Sequence, residues 1–308
     1  MQRSTLGRRG SAALCGLLLA VPGLARAADP GSAGFLSLRL GDGARASGMG
    51  EAQVSLASDA TSAYWNPAGL AGVVRTDFSL MHLEWLSSIR MDTASLAHAT
   101  DLGVFGLHFS GLYLDEIPRT TSAGVDNEGS FNAFEIAVSG AYGRRVAQDW
   151  EAGVAVKGLY SKLDVVSANG WAVDFGLRYH TKIPGLTFGG AAQNLGPKIT
   201  FISEAFPLPA MGRVGADYQR AVPALQGRMV GAFDLVKPTD GVAHPHAGVE
   251  YVYRDLASLR LGYKGGYDSQ GLTFGAGLRT RGYHFDYSFA DIRTDLGHGH
   301  RFSFSVDL

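Results

Sequence analysis

The sequence has little charge, one cysteine and no long apolar run outside its N-terminus. Charged residues make up 18% of the 308 residues, and the net charge is −1. Soluble globular proteins usually carry about a quarter charged residues. A chain with so little net charge lacks the basic surface expected for nucleic-acid binding, so we expect no nucleic-acid partner. Beyond the N-terminal segment no stretch of about 18 apolar residues occurs, which excludes a transmembrane helix there.

The single cysteine, Cys15, lies inside a segment typical of a secretory signal peptide. The positively charged residues at its start are Arg3, Arg8 and Arg9. An apolar stretch follows over residues 11–24, and Ala25-Arg26-Ala27 is a small-x-small cleavage site, which predicts removal of residues 1–27. The adjacent arginine pair leaves a twin-arginine signal open, although the rest of that motif is missing. The mature chain, starting near Ala28, is thus expected to be exported and free of disulfides.

Alternation of apolar and polar residues dominates the rest of the chain. Near the C-terminus Phe302, Phe304 and Val306 face one way, and Ser303 and Ser305 face the other. Such a period of two is the signature of a β-strand whose faces meet different environments. About fourteen such segments can be placed, each about 10 to 14 residues long. They begin near residues 74, 88, 102, 131, 149, 169, 186, 210, 225, 242, 256, 271, 283 and 298.

Two architectures fit this pattern, a soluble sandwich or barrel and a transmembrane barrel. Strands of soluble proteins typically have about five or six residues, whereas a strand that crosses a bilayer needs about 9 to 11. The length favours an all-β fold, a closed antiparallel transmembrane β-barrel of about 14 strands over residues 74–308. An even strand number, closure without edges and export all suit the outer membrane. The longer connections, 115–130 and 202–210, are predicted to be external loops.

The two faces of the predicted strands differ as a barrel requires. Several apolar faces end in aromatics that suit an interfacial girdle: Trp150, Trp171, Tyr179, Tyr218, Tyr251, Tyr263 and Tyr283. The opposite faces carry charges of both signs: Glu135, Lys157, Asp174, Arg178, Asp217, Asp234, Glu250, Arg260, Lys264, Arg279 and Asp286. Because unpaired buried charges are costly, these residues are predicted to form a pairing network in the lumen. The first segment is ambiguous, since Met81, Leu83 and Trp85 compete with Phe78 and Leu80 for the apolar face.

The block before the strands, residues 28–73, is different in kind. Within it, Ser58 or Asp59 can cap a short helix that runs to Tyr64 or Trp65. Pro67 stops that helix and restricts the preceding asparagine to an extended or turn conformation. A second short turn ends at Gly72. The block is therefore predicted to be a small folded element, here called the hatch, that fills or lines the start of the barrel.

The hatch sequence GARASGMGEAQVSLASDATSAYWNPAGLAG resembles the N-terminal signature of the PorV/PorQ proteins and of the related FadL-type transporters. The residues that carry the resemblance as the hatch motif are Gly48, Met49, Gly50, Asp59, Trp65, Asn66, Pro67, Ala68 and Gly69. The sequence departs from the family pattern at Glu51 and Ser58, and it ends in Leu308 where an aromatic residue is usual.

The resemblance implies a fourteen-stranded outer-membrane barrel closed by a hatch. FadL-type members pass hydrophobic molecules such as long-chain fatty acids, and PorV-type members act with a protein secretion system. The mature chain is shorter than typical FadL transporters, which favours the PorV/PorQ side and leaves a hydrophobic-compound transporter as the alternative. The expected partners are outer-membrane lipid and either hydrophobic small molecules or exported proteins. A barrel lipid hydrolase or a purely structural barrel is a further alternative.

No enzymatic site is predicted. His108 and Ser110 share a strand face and could form a hydrolase pair, but they are predicted to point into the lumen rather than toward lipid. Two histidine pairs could bind a metal in principle: His244 with His246, and His298 with His300. Without a third ligand they are interpreted as turn or rim residues, so no metal site, cofactor or catalytic residue is expected.

Overall fold

The computed structural model describes residues 33–86, 89–118, 129–292 and 297–308. The predicted signal peptide, residues 1–27, and the first five residues of the hatch lie outside the described residues. In the described part of the chain no helix is both long and apolar enough to cross a membrane.

Fourteen antiparallel strands form one closed barrel, as the sequence predicts. The barrel strands are β1 Thr76–Trp85, β2 Ile89–Thr100, β3 Gly103–Pro118, β4 Ser130–Ala147, β5 Trp150–Leu163, β6 Val166–His180, β7 Leu186–Leu195, β10 Met211–Val222, β11 Gly227–Pro238, β12 His244–Tyr253, β13 Ala257–Lys264, β14 Gln270–Thr280, β15 Tyr283–Ile292 and β16 Gly299–Asp307. Each pairs with its sequence neighbour in the barrel, and β1 pairs with β16 to close it. The predicted starts are close, the largest deviation being β6, which begins at Val166 rather than 169.

The two ends of the barrel differ. At the end where β1 starts and β16 finishes, here called the turn end, the strands are joined by short connections such as 101–102 and 281–282. The opposite end, here called the loop end, carries the segment 196–210. The sequence predicts only a loop there, but this segment contains a hairpin of β8 Ile199–Phe201 and β9 Glu204–Phe206. Ile199 is buried against Phe35 of the hatch, so the hairpin folds over the mouth of the barrel.

The hatch lies inside the barrel and runs from the loop end to the turn end. It contains a 3-10 helix Leu36–Arg39, helix α1 Ala44–Gly48, helix α2 Ser62–Trp65 and a 3-10 helix Pro67–Gly72. Helix α2 starts later than the capping residues predict, because Asp59 accepts hydrogen bonds from the Thr61 backbone and hydroxyl in a separate turn. Asn66 is extended, with φ −163°, and Pro67 opens the second helix, as the proline predicts.

The ambiguous strand β1 carries apolar residues on both faces, because its inner face packs against the hatch, and its outer face also carries His82 and Glu84. Met81 and Leu83 point inward and pack with Met91 and Leu112, and Leu40 of the hatch lies against this cluster. Leu80 points outward and is 42% exposed. A strand between a packed hatch and an apolar exterior thus loses the clean alternation seen in the other strands.

Candidate functional site

The hatch backbone rests directly on glycines of the wall. The segment Pro67–Ala68 lies against Gly143 on β4, Gly153 on β5 and Gly176 on β6, which are paired in register. A Cβ atom at Gly143 or Gly153 would overlap the Pro67 backbone, and one at Gly176 would overlap the Asn66 side chain. Only glycine leaves room for this approach. Farther along, Gly189 on β7 meets Val54 and Ser55 in the same way.

A second row of wall glycines contacts the other end of the hatch motif. Met49 lies against Gly248 on β12, Gly50 against Gly262 on β13, and Gly48 against Gly275 on β14. A Cβ on Gly48 would come within 3.0 Å of the Gly275 Cα atom, and Gly50 adopts φ +64°. The two motif halves, Gly48–Gly50 and Asn66–Ala68, therefore dock on opposite arcs of the barrel.

Asn66 fixes the hatch through hydrogen bonds in the buried interior. Its amide nitrogen donates to the Val54 carbonyl at 2.6 Å and to the Leu177 carbonyl of β6 at 3.3 Å. Its side-chain oxygen accepts from the Ala68 backbone at 3.1 Å. Beside it the fully buried Trp65 donates from its indole to the Asp42 carbonyl, and the Arg213 guanidinium lies 5.0 Å from its ring. The structure thus places Asn66, Pro67 and Ala68 at a structural contact with the wall.

Buried ion pairs join the hatch to β12–β16. The Glu51 carboxylate lies 2.7 Å from the Lys264 Nζ atom and 3.4 Å from the Arg301 Nη1 atom. Arg45 binds Glu250 at 2.8 Å, and Glu250 also binds Arg260 at 2.7 Å. Burial raises the pKa of Glu51, but the two cations outweigh this and bring the pKa to about 2. Glu51, which departs from the family pattern, is therefore a charged anchor of the hatch.

The lumen charges named from the sequence all point inward, and several form the predicted pairs. Lys157 binds Asp174 at 2.7 Å, and Arg178 lies 3.2 Å from Glu151. Asp234 accepts from the backbone nitrogens of Gln53 and Val54 at 2.8 and 2.9 Å, so it holds the hatch rather than a cation.

His108 points into the lumen but is not paired with Ser110. Its Nδ1 atom lies 2.9 Å from the Ser95 hydroxyl and 3.6 Å from the Asp42 carboxylate, and the imidazole is 4% exposed. The Asp42 carboxylate also accepts from Thr93 at 2.6 Å. This cluster connects the hatch to β2 and β3.

The histidine pairs named from the sequence contact tyrosine side chains and are not grouped as metal ligands would be. His246 binds the Tyr267 hydroxyl at 3.0 Å, and the His244 ring stacks on Tyr267 at 4.0 Å. His300 binds the Tyr287 hydroxyl on the outer face. Among the described residues no group of three His, Cys, Asp or Glu side chains is arranged to hold a metal ion.

The Asp42 cluster predicts that the hatch is held more tightly in acid. Burial raises the pKa of Asp42 to about 6, because the charged form loses hydration inside the barrel. Its stabilising contribution is present below the ordinary pKa and is lost as the pH rises through about 6, on the order of 3 kcal/mol in all. We expect hydrogen exchange of the hatch amides, corrected for intrinsic rates, to show weaker protection at pH 7.5 than at pH 5.

Asp42→Asn is the test of that assignment. The amide cannot titrate, so the difference in protection between the two pH values should shrink in this variant. Asp101→Asn, on the exposed connection between β2 and β3, is the control and should keep the difference. An unchanged pH profile in Asp42→Asn would assign the effect to another group.

Two chambers flank the hatch, and they differ in polarity. The loop-end chamber measures about 920 Å³, and its walls are chiefly apolar. Side chains from the hatch, the wall and the hairpin line it: Phe35, Leu40, Ile89, Leu114, Phe201, Phe206 and Val236. Polar residues such as Arg39, Arg213 and Lys264 also line it, and Arg39 pairs with Asp240.

The turn-end chamber measures about 580 Å³ and is polar. Arg45, Arg260 and Asp286 stand on its hatch side, and Arg279 pairs with Asp307 at 2.8 Å near the rim. An apolar molecule is therefore favoured in the loop-end chamber and disfavoured in the turn-end chamber.

Sequence reasoning missed the two docking arcs and the loop-end chamber. The signal for the arcs was present, since Gly143, Gly153 and Gly176 occupy inward positions of three successive strands. The chamber had no such signal, because its lining comes from Phe35, the hairpin and four or more strands that are distant in sequence.

Comparison with protein families gives one match. A family model described as "Uncharacterised protein family (UPF0164)" matches residues 25–205, more than half of the chain. None of the curated proteins matches the sequence.

Solved structures share the fold at low sequence identity. The Ralstonia pickettii toluene transporter TbuX aligns with a TM-score of 0.64 at 15% identity, over 87% of this chain and 98% of that one. The Pseudomonas putida toluene transporter TodX aligns with a TM-score of 0.61 at 13% identity, over 86% and 96%. The CymD monoaromatic hydrocarbon channel aligns with a TM-score of 0.61 at 12% identity, over 87% and 98%. These are FadL-like barrels, so the resemblance to the FadL type is confirmed for the fold, and that to PorV/PorQ stays a prediction.

Proposed function

Because the chain belongs to the UPF0164 family and folds as a FadL-like barrel, we propose that it is an outer-membrane channel for small hydrophobic compounds. The observation that carries this proposal is the apolar loop-end chamber of about 920 Å³, whose floor is the hatch. Ligand sites of this kind are concave and mostly apolar, with a few polar groups that fix orientation. TbuX and TodX are described as toluene transporters and CymD as a monoaromatic hydrocarbon channel.

The proposal includes an orientation in the membrane. Outer-membrane barrels have short periplasmic turns and longer external loops. The turn end then faces the periplasm, and the loop-end chamber opens to the outside. A hydrophobic compound would partition from outside into the chamber and meet the hatch, whose ion pairs and glycine contacts keep the lumen closed at rest. The proposal assigns no chemical reaction to the chain.

A polar side chain in the chamber wall should impair uptake. Leu114 on β3 is half-buried and lines the chamber. We expect Leu114→Gln to lower uptake of a radiolabelled monoaromatic hydrocarbon several-fold, because binding then leaves the amide without hydrogen-bond partners at a cost of about 1–3 kcal/mol. Leu114→Met keeps an apolar wall of similar volume and should transport normally. Uptake into proteoliposomes or whole cells is the measurement.

Equal uptake by wild type, both variants and empty membranes would refute the channel function. Heat-modifiable gel mobility of the variants checks that each barrel has folded.

A role beside a secretion system, which the PorV/PorQ resemblance implies, stays a prediction. Purifying the protein from its own membranes distinguishes a secretion role from a transport role. Exported proteins recovered in stoichiometric amounts would favour secretion, whereas hydrophobic compounds bound to the purified barrel would favour transport.

A further inference from the structure

The loop-end chamber contains a buried cation without an anion beside it. Arg213 is the third residue of β10, lines the chamber and is 3% exposed. The other two cations that the described chain places on the inner surface of the chamber are paired, Lys264 with Glu51 at 2.7 Å and Arg39 with Asp240. Within the part of the chain that the structure describes, Arg213 forms no ion pair.

The guanidinium of Arg213 is held in one place by uncharged neighbours. Its Nε atom donates to the Gln193 side-chain oxygen at 2.9 Å, and the Gln193 amide nitrogen donates to the Tyr64 carbonyl at 2.7 Å. The guanidinium carbon lies 5.0 Å from the centre of the Trp65 ring. Among the described residues the Nη1 atom has no hydrogen-bond partner. One edge of the guanidinium is therefore oriented but unused.

The charge of Arg213 is costly as it stands. A guanidinium keeps its proton in proteins, so the cost of burial cannot be avoided by neutralisation. A buried charge needs a counter-charge and hydrogen bonds to offset the loss of hydration. The nearby Asp234 does not supply them, because its carboxylate accepts from the backbone nitrogens of Gln53 and Val54 and forms no ion pair with Arg213. An anionic ligand would satisfy the guanidinium.

The surroundings of Arg213 are also rich in cations. Lys264 and His246 lie close enough to Arg213 to interact with it electrostatically. The carboxylate of Glu51 is shared by Lys264 at 2.7 Å and Arg301 at 3.4 Å. Around Glu51 the described residues thus place more cations than carboxylates. A cleft with an excess of one sign of charge attracts ligands of the opposite sign.

The apolar part of the same chamber is lined by aromatic rings. Phe35 comes from the hatch, and Phe201 and Phe206 come from the hairpin, with their ring centres 6.3 Å apart in an edge contact. Tyr267 stacks on His244 at 4.0 Å and lines the chamber as well. Contacts between aromatic rings are more favourable than the buried area alone predicts. The lining therefore favours an aromatic body over an alkyl chain.

We propose that the loop-end chamber binds an aromatic carboxylate, with its carboxylate on the terminal nitrogens of Arg213 and its ring against Phe35, Phe201 and Phe206. An arginine fork matches a planar carboxylate through two parallel hydrogen bonds. The ligand passes unchanged, and no bond is formed or broken. The inference rests on the channel function proposed above and narrows its substrate class from hydrophobic compounds in general to aromatic acids.

Equilibrium binding to the purified protein in detergent tests the site. The probes are cinnamate and cinnamamide, which share a ring and a shape but differ in charge at neutral pH. By titration calorimetry we expect the wild type to bind cinnamate about tenfold more tightly, because hydrogen bonds between charged groups are the stronger ones. Octanoate, an alkyl acid of similar length, should bind several-fold more weakly than cinnamate.

Variants of the arginine assign the effect to one side chain. Arg213→Met removes the charge, and cinnamate should then bind about as weakly as cinnamamide. Arg213→Lys keeps the charge but lacks the planar fork, so only part of the preference should return. Arg279→Met removes an arginine from the turn-end chamber and is the control, which should keep the wild-type preference. Heat-modifiable mobility checks folding, and the comparison of the two probes on the wild type needs no variant.

Equal affinity of the wild type for cinnamate and cinnamamide would overturn the proposal. So would a preference for cinnamate that survives Arg213→Met, or tighter binding of octanoate than of cinnamate. Uptake of the monoaromatic hydrocarbon by the same proteins separates this inference from the channel function. Normal hydrocarbon uptake without a preference for the acid refutes only the carboxylate site. A preference for the acid without uptake of either compound refutes only the channel.

Discussion

Replacing Gly153 by alanine should open the barrel at rest. The added methyl group would overlap the carbonyl of Pro67 and the backbone nitrogen of Ala68, both of which are held by the second hatch helix. Overpacking of a tight interior contact costs about 1–3 kcal/mol. A cost of about 2 kcal/mol shifts the ratio of seated to displaced hatch roughly thirtyfold toward the displaced state. Single-channel conductance should then show frequent large openings that are rare in the wild type.

Gly140→Ala is the matched control for this experiment. Gly140 lies on β4, next to the glycine row, but a Cβ there points outward and meets no atom within 4 Å. Its substitution should leave conductance and uptake of large hydrophilic antibiotics unchanged. If Gly153→Ala and Gly140→Ala behaved alike, the glycine rows would not hold the hatch closed.

Removing the carboxylate of Glu51 should destabilise the hatch most among single charge changes. Glu51→Gln leaves Lys264 and Arg301 buried without their anion, and breaking a buried pair in this way costs about 3–5 kcal/mol. Because the wall strands keep their own pairings, we expect the hatch to loosen while the barrel survives. Proteolysis within residues 41–57 and increased conductance are the measurements.

A double-mutant cycle separates loss of the ion pair from loss of shape. Lys264→Met removes one buried cation, so the combination with Glu51→Gln should be less damaging than the sum of the single changes. Strict additivity would mean that the 2.7 Å contact between Glu51 and Lys264 has no energetic role. Lys162→Met, which replaces an exposed lysine on β5, is the control for loss of charge alone.

The barrel was predictable because its signal is local. A period of two and a strand length near that of a membrane crossing are both properties of single segments, and they located all fourteen barrel strands. The ambiguous strand β1 shows the limit of that signal. The reason Met81 and Leu83 face inward is Leu40, a residue of the hatch, and no local pattern reveals that contact.

The local conformation of the hatch could be predicted from the sequence, but its contacts with the wall could not. The proline and asparagine fixed a local turn, since their backbone preferences do not depend on the rest of the chain. The wall partners of Asn66 and Glu51, such as Leu177 and Lys264, lie on strands more than a hundred residues away, and their identity depends on register around the whole barrel. The hairpin β8–β9 was missed because strands of three residues carry too little alternation to be distinguished from a loop.

The docking of the hatch on two opposite arcs constrains how the molecule can be assembled. Gly48–Gly50 contacts β12–β14, and Asn66–Ala68 contacts β4–β6, with backbone against backbone at both places. The full set of these contacts exists only when the strands of both arcs are in place, so the hatch can be fully seated only in a wall whose two arcs have both formed. The seated hatch thus braces two distant parts of the wall against each other.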